Sequence, residues 1–326
     1  MKENKKIIIT GATGFIGQEL VKLIDKNKYD LHVIIRDQNK AHVFDGMNLK
    51  ILKGSLNDAD FLKKSLSGQS IIIHLAAMLN EWGASRTDFC TNNVDTTINL
   101  INNADKNLLE KFIYLSSVHV YGANFKNLPV NENQKPCPVT LYAQSKLEAE
   151  NLIINSGIPY TILRSSMVYG PSEKSGFMTN LINSCNKKMV FVPGNGQNKI
   201  HLIYIDDLVR AILIALEQAP SNDIFNIAGQ EVITLDLLLK KVKTVSRRSF
   251  DVIYIPKVLL FFPTIIIEVL HRLLKLLGFN KKPFITKDVL DIVTGNRCFD
   301  TTKARQKLGF APQVSLDAGL RDIIKI

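Results

Sequence analysis

At 326 residues, with 46% hydrophobic and 22% charged side chains, the chain has an ordinary globular composition that excludes wholesale disorder, and its 41 Lys+Arg against 30 Asp+Glu leave it basic at +11. Length alone suggests two domains or one large one. Cys90, Cys137, Cys185 and Cys298 lie far apart with no CxxC pair, which excludes a disulfide scaffold or zinc ribbon, implies no metal site and fits a reducing, cytoplasmic compartment.

The N-terminal Met1-Lys2-Glu3-Asn4-Lys5-Lys6 runs directly into Ile7-Ile8-Ile9, so the first apolar run reads as a strand rather than a signal peptide. Strand-like and helix-like stretches then alternate. Strands are expected at Lys6–Thr10, Leu31–Arg36, Lys50–Lys53, Ser70–Leu75, Lys111–Ser116 and Tyr160–Arg164. Helices are expected at Gly17–Lys26, Asp58–Ser67, Asp88–Lys106 and Leu141–Ser156. Continuous apolar strands separated by helices predict an α/β fold, a Rossmann-type doubly wound parallel sheet covered on both faces. Beyond Arg164 the pattern loosens into turn-rich sequence. The expected division is a dinucleotide-binding domain over 1–164 plus about 199–227, and a smaller, discontinuous C-terminal substrate domain over about 165–198 plus 228–326. His201–Ile205, the helix after Asp206 and Ile224–Ile227 are expected to return to the main sheet.

The first strand leads into Thr10-Gly11-Ala12-Thr13-Gly14-Phe15-Ile16-Gly17, a GxxGxxG turn between strand and helix. Glycines there permit a tight turn and close approach of the backbone to a pyrophosphate, and the helix N-terminus adds free N–H groups. The second strand ends at Arg36-Asp37. An arginine in that place suits a 2′-phosphate, which favours NADP, with NAD as the alternative if Asp37 takes the ribose.

Ser117 follows the strand ending Tyr114-Leu115-Ser116, and Tyr142 and Lys146 stand four apart at a helix start, on one face. A neighbouring ammonium is expected to lower a tyrosine pKa from its ordinary value of about 10. Such a tyrosine passes a proton to or from a secondary alcohol while a nicotinamide moves hydride, and a serine hydroxyl holds the same oxygen.

These motifs, with HLAA (74–77), NNV (92–94), LSSVHVYG (115–122), YAQSK (142–146), LRSSMVYGP (163–171), YIDDL (204–208) and FDTTKARQKLGFAP (299–312), make the chain resemble the extended short-chain dehydrogenase/reductases. The likeness is to the NAD(P)-dependent epimerase/dehydratase group, which includes 3β-hydroxysteroid dehydrogenases and dihydroflavonol reductases. The resemblance implies that Gly11, Gly14 and Gly17 line the pyrophosphate with Phe15 and Ile16 offering backbone N–H. It implies that Ala76 lies along the cofactor, that Asn93 sits behind the lysine, and that Ser165–Val168 meet the nicotinamide carboxamide. Ser117 would be the catalytic serine, Tyr142 the acid/base, and Lys146 the holder of the ribose hydroxyls. A homodimer through a sheet-flanking helix pair is also implied.

The chain departs from the group's pattern in places. Gly54-Ser55-Leu56 replaces Gly-Asp-Leu, and Val118-His119 stands where a dehydratase carries Asp-Glu. Met167 and Ile200 occupy positions where nucleotide-sugar enzymes carry asparagine and arginine, while Arg297 is left to contact a phosphate or to pair with Asp300. The favoured reading is therefore an oxidoreductase on a secondary alcohol or ketone of a bulky, sterol- or lipid-like small-molecule substrate. The alternatives are a nucleotide-sugar 4-epimerase or 4-ketoreductase and, more weakly, a non-catalytic dinucleotide sensor.

One segment is unusual. Residues 240–287 hold eleven basic side chains against Asp251 and Glu268, a net +9. Within it, 255–282 reads as an amphipathic helix, too interrupted to provide the ~20 apolar residues of a membrane span. Two readings stay open: a pocket cap with its charges in water, or peripheral contact with an anionic membrane. No nucleic-acid-binding pattern accompanies the charge.

Overall fold

The computed structural model describes residues 5–324 except 80–82, 124, 126, 219–221, 277, 279–282 and 284–285. Part of the 255–282 segment thus lies outside the described residues. The strands, in chain order, are β1 (Lys5–Thr10), β2 (Tyr29–Ile35), β3 (Lys50–Lys53), β4 (Ile71–His74), β5 (Lys111–Ser117), β6 (Tyr160–Ser165), β7 (Met167–Tyr169), β8 (Met189–Pro193), β9 (Lys199–Tyr204), β10 (Asp223–Ile227), β11 (Val232–Thr234) and β12 (Asp251–Ile255).

Seven strands form the central sheet in the order β10-β6-β5-β4-β1-β2-β3, every pairing parallel. The order reverses between β1 and β4. In an open parallel sheet, ligands bind in the crevice at the carboxyl ends of the strands beside such a reversal.

Alternation along each strand sends neighbouring side chains to opposite faces. Ile7, Ile9, Ile71 and Ile73 enter one core with Leu20 and Val21 of helix Phe15–Leu23 and Leu208 and Ile212 of helix Ile205–Glu217. Ile8, Ile72, Phe112 and Tyr114 enter a second core. There they meet Leu62, Leu100, Ile101, Ala149 and Ile153 from helices Ala59–Ser65, Thr96–Asn103 and Leu141–Asn155. Burial on both faces explains the unbroken apolar runs of β1 and β4.

Ile224–Ile227 joins the main sheet through β10, as expected, but His201–Ile205 does not. That segment forms most of β9, the middle strand of a separate three-stranded sheet, parallel to β7 and antiparallel to β11. Its apolar run reflects burial between other layers, which periodicity alone cannot distinguish from burial in the main sheet. The expected helix Asp88–Lys106 is also more complex. It begins at Arg86 under a Ser85–Asp88 capping box, widens into a π-helical turn over Cys90–Asp95 and resumes as Thr96–Asn103.

The segment after β12 is a helix, Lys257–Leu276, that passes through Pro263. Val258, Phe262, Ile266 and Leu273 are more than half exposed, whereas Thr264 is buried. Among the described residues, no helix is long and apolar enough to cross a membrane.

Candidate active site

The expected site residues gather at the carboxyl ends of the central strands. Gly11 follows β1, Ala76 follows β4, Ser117 ends β5 and Ser165 ends β6. The glycine turn is tight in the places its spacing requires. Gly11 has φ +72°, and a Cβ there would lie 2.5 Å from the Ala76 backbone nitrogen. A Cβ on Gly17 would lie 2.3 Å from the Gly11 carbonyl oxygen, so helix Phe15–Leu23 can approach the turn only without a side chain there. Gly14 is the N-cap and brings no side chain to the first-turn N–H groups. A backbone cradle with an uncapped helix N-terminus fits a pyrophosphate.

Arg36 is exposed just beyond β2, and its guanidinium donates to Asn92 Oδ1 at 3.3 Å. Asp37 is engaged locally, accepting from the Asn39 N–H at 3.0 Å. Ser165 Oγ donates to the Ser166 carbonyl at 2.9 Å, and Val168 lies half-buried on β7.

Tyr142 and Lys146 lie on helix Leu141–Asn155, whose N-cap Thr140 accepts from the Ala143 N–H at 3.1 Å. The Tyr142 side chain lies near enough to Ser117 for the serine hydroxyl to favour its phenolate, so two of the three expected residues come together. Ser117 Oγ also accepts from the His119 N–H at 3.2 Å, and the His119 ring stands edge-on to Tyr142 with centroids 6.3 Å apart.

The electrostatics differ from the expectation. Loss of water around the Tyr142 phenol pushes its pKa up to about 12, with the nearby Ser117 hydroxyl a smaller opposing effect. Lys146 is buried beneath the helix, its ammonium 4.0 Å from the centre of the Tyr114 ring. Burial, opposed by the Glu150 charge, brings its pKa down to about 7. The lysine pays for its burial before it can tune its neighbour.

Asn93 sits in the π-helical turn and is buried. Its Oδ1 accepts from the Met78 N–H at 2.6 Å, and its Nδ2 donates to the Met78 carbonyl at 3.1 Å and to Ser145 Oγ at 2.8 Å. Ser145 Oγ donates in turn to the Tyr142 carbonyl at 2.8 Å. Asn93 therefore braces the loop that follows Ala76 against the helix bearing Tyr142. His74 lies underneath, its Nδ1 2.6 Å from Thr10 Oγ1 and its Nε2 3.1 Å from Thr97 Oγ1.

Several polar groups around the site escape sequence reasoning. Glu150, four residues after Lys146, does not form a surface pair with it. Glu150 is fully buried and receives Arg164 Nε at 3.0 Å and Nη2 at 2.5 Å, together with the Ser116 hydroxyl. The signal was the opposite charge at Arg164, but 14 residues of separation hide such a pair until β6 docks beside β5. Arg297 is buried, and its Nε and Nη1 have no hydrogen-bond partner among the described residues, so it does not pair with Asp300 as one reading expected. Its charge reaches His119, where burial and Arg297 together lower the imidazole pKa to about 3.

Among known proteins, the model of the NAD dependent epimerase/dehydratase family matches residues 7–228. The sterol-4-alpha-carboxylate 3-dehydrogenase, decarboxylating, of Dictyostelium discoideum is 24% identical over 98% of this chain and 100% of its own length. The UDP-glucose 4-epimerase of Vibrio cholerae is 26% identical over 98% of this chain and 94% of its own. In three dimensions the chain is similar to the UDP-glucuronic acid 4-epimerase of Bacillus cereus, solved in complex with NAD, at a TM-score of 0.77 and 25% identity over 98% of both chains.

Proposed function

Because this chain belongs to the NAD dependent epimerase/dehydratase family and is an enzyme of the extended short-chain dehydrogenase/reductase type, we propose that it interconverts a secondary alcohol and a ketone on a bulky small-molecule substrate, with Tyr142 as acid/base. The observation that carries this reading is the convergence of Tyr142 and Ser117 at the carboxyl end of β5, with Lys146 buried one helical turn along from Tyr142.

The glycine cradle fits a nicotinamide dinucleotide. Gly11, Gly14, Phe15, Ile16 and Gly17 would hold its pyrophosphate, Ala76 its flank, Lys146 its ribose hydroxyls and Ser165–Val168 its carboxamide end. When bound, the coenzyme supplies or accepts the hydride. Tyr142 Oη then gives its proton to the substrate oxygen in reduction and takes it back in oxidation. Ser117 Oγ donates to the same oxygen and fixes its position. A phenol with a pKa near 12 enters as the protonated acid, which suits the reducing direction.

The exposed Arg36 favours NADP over NAD. Arg36→Glu is expected to weaken NADPH binding by at least about tenfold and to spare NADH, since it replaces a positive by a negative charge beside the 2′-phosphate.

Arg297 favours a second reading, a nucleotide-sugar 4-epimerase or 4-ketoreductase, because its unpaired guanidinium nitrogens suit an anionic substrate group. The apolar residues Ile266, Val269, Leu270 and Leu273 are exposed and lend the first reading nothing inside the site. Purified protein with NADPH or NADH should show a change in nicotinamide absorbance on one member of a panel of steroid, polyprenoid and flavonoid ketones. A thermal shift by UDP-, dTDP- or GDP-sugars, lost in Arg297→Ala, would instead select the nucleotide-sugar reading. No response to either coenzyme would end the enzymatic proposal.

A further inference from the structure

The helix Lys257–Leu276 is mounted with its polarity reversed. Val258, Phe262, Ile266, Val269, Leu270 and Leu273 recur at helical spacing, and each is more than half exposed. Three polar side chains of the same helix are less exposed than this stripe. Thr264 is buried, Glu268 accepts from the Lys287 backbone N–H, and the half-buried His271 ring bonds the Ile267 carbonyl at 2.9 Å. A helix dissolved in water would take the opposite orientation, so this stripe is built to be covered.

A second exposed apolar pair lies on the two-stranded sheet whose strand β12 leads into the helix. Phe191 and Ile253 are register partners in the parallel pair of β8 and β12, and both are exposed. β12 ends at Ile255 and runs through Pro256 directly into the helix.

The charge of the surroundings selects the cover. Residues 240–287 carry nine net positive charges of the chain's +11. Arg247, Arg248 and Lys287 are exposed, while Lys240, Lys241 and Lys257 pair with Asp236, Asp317 and Asp291. An uncharged protein surface would gain nothing from this basic frame, and a second copy of the segment would repel it. A sheet of anionic headgroups over an apolar layer matches both features, and the helix is too short of apolar residues to cross that layer.

We propose that the outward apolar stripe of helix Lys257–Leu276, framed by the basic segment 240–287, docks this protein peripherally on an anionic lipid bilayer. The proposal does not rest on the hydride-transfer reading and stands or falls separately from it.

The test is flotation of the full chain with vesicles of phosphatidylcholine alone or with about 30% phosphatidylserine, at about 0.05 M and 0.5 M salt. The vesicles with phosphatidylserine should carry at least about tenfold more protein at low salt, and high salt should release most of it. The triple variant Phe262→Ser, Ile266→Ser, Leu270→Ser should lose that binding and keep the wild-type melting temperature. Arg247→Glu with Arg248→Glu leaves the stripe intact and should also reduce binding severalfold. Failure of the wild type to float overturns the proposal. So does flotation that both variants retain. A wild-type dimer in sedimentation that the triple variant dissociates, with neither protein binding vesicles, overturns it in favour of an interface between copies.

Discussion

Asn93 Nδ2 donates to Ser145 Oγ across 2.8 Å, while its Oδ1 takes the Met78 N–H at 2.6 Å, so one amide ties the loop after β4 to the helix that presents Tyr142. The π-helical turn carries Asn93 between these two elements. Such turns are rare and concentrate at functional sites. Asn93→Ala would leave the half-buried Met78 N–H without its acceptor and take a donor from Ser145 Oγ, which keeps its bond to the Tyr142 carbonyl. A loss of about 2–3 kcal/mol in urea unfolding is expected, along with a fall in kcat that exceeds any change in coenzyme affinity. Unchanged stability would show that the brace is dispensable.

Tyr142→Phe removes the proton that the reaction needs and little else. The rate should fall by about 10²–10⁴, the usual contribution of a positioned general acid. Coenzyme binding, followed by fluorescence titration, should be retained. Ser117→Ala should cost less, because one hydrogen bond to the substrate oxygen is lost while the acid remains. Equal activity in Tyr142→Phe and wild type would rule out the assigned role.

Lys146 makes a pH prediction whose sign follows from burial. Its pKa of about 7 in the folded protein lies below the ordinary 10.5. Between those values the unfolded chain holds the extra proton, so stability rises with pH across that window, and the full penalty applies below pH 7. Lys146→Met should therefore raise the melting temperature of the coenzyme-free protein near pH 6.5, with the gap narrowing towards pH 10. His74 acts at the acid end. Burial lowers its pKa from 6.5 to about 3, so stability is lost as the pH falls through that range. Thermal melts of the wild type and Lys146→Met from pH 4 to 10 separate these effects, because only the loss at the acid end persists in the variant.

The pair between Glu150 and Arg164 is buried at both ends. The carboxylate holds the guanidinium pKa above its ordinary value despite burial, and the guanidinium also lies 4.8 Å from the Tyr121 ring centre. Glu150→Gln would leave a cation without its counter-charge, at a cost of about 3–5 kcal/mol. Denaturant midpoints read this directly. Because Glu150 follows Lys146 by one helical turn, the variant should also lower the Lys146 pKa further, which an activity profile against pH would register.

The sequence reading held where the determinants are local. The strand–glycine–helix turn at 10–17 and the spacing of Tyr142 and Lys146 are rules about a few adjacent residues, and the structure obeys them. The parallel sheet followed from the unbroken apolar strands, because only a sheet covered on both faces buries every side chain of Ile7-Ile8-Ile9.

The remainder depended on which distant elements came to lie side by side. An apolar run at His201–Ile205 reveals burial but not the neighbouring strand, so its place in the small sheet was decided by tertiary pairing. The i,i+4 spacing put Tyr142 and Lys146 on one face, but the pKa of each is set by how much water the surrounding layers remove. Periodicity likewise sorted the residues of Lys257–Leu276 into two faces. Which face meets water is a property of the packing partner, and here the structure turned the apolar one outward.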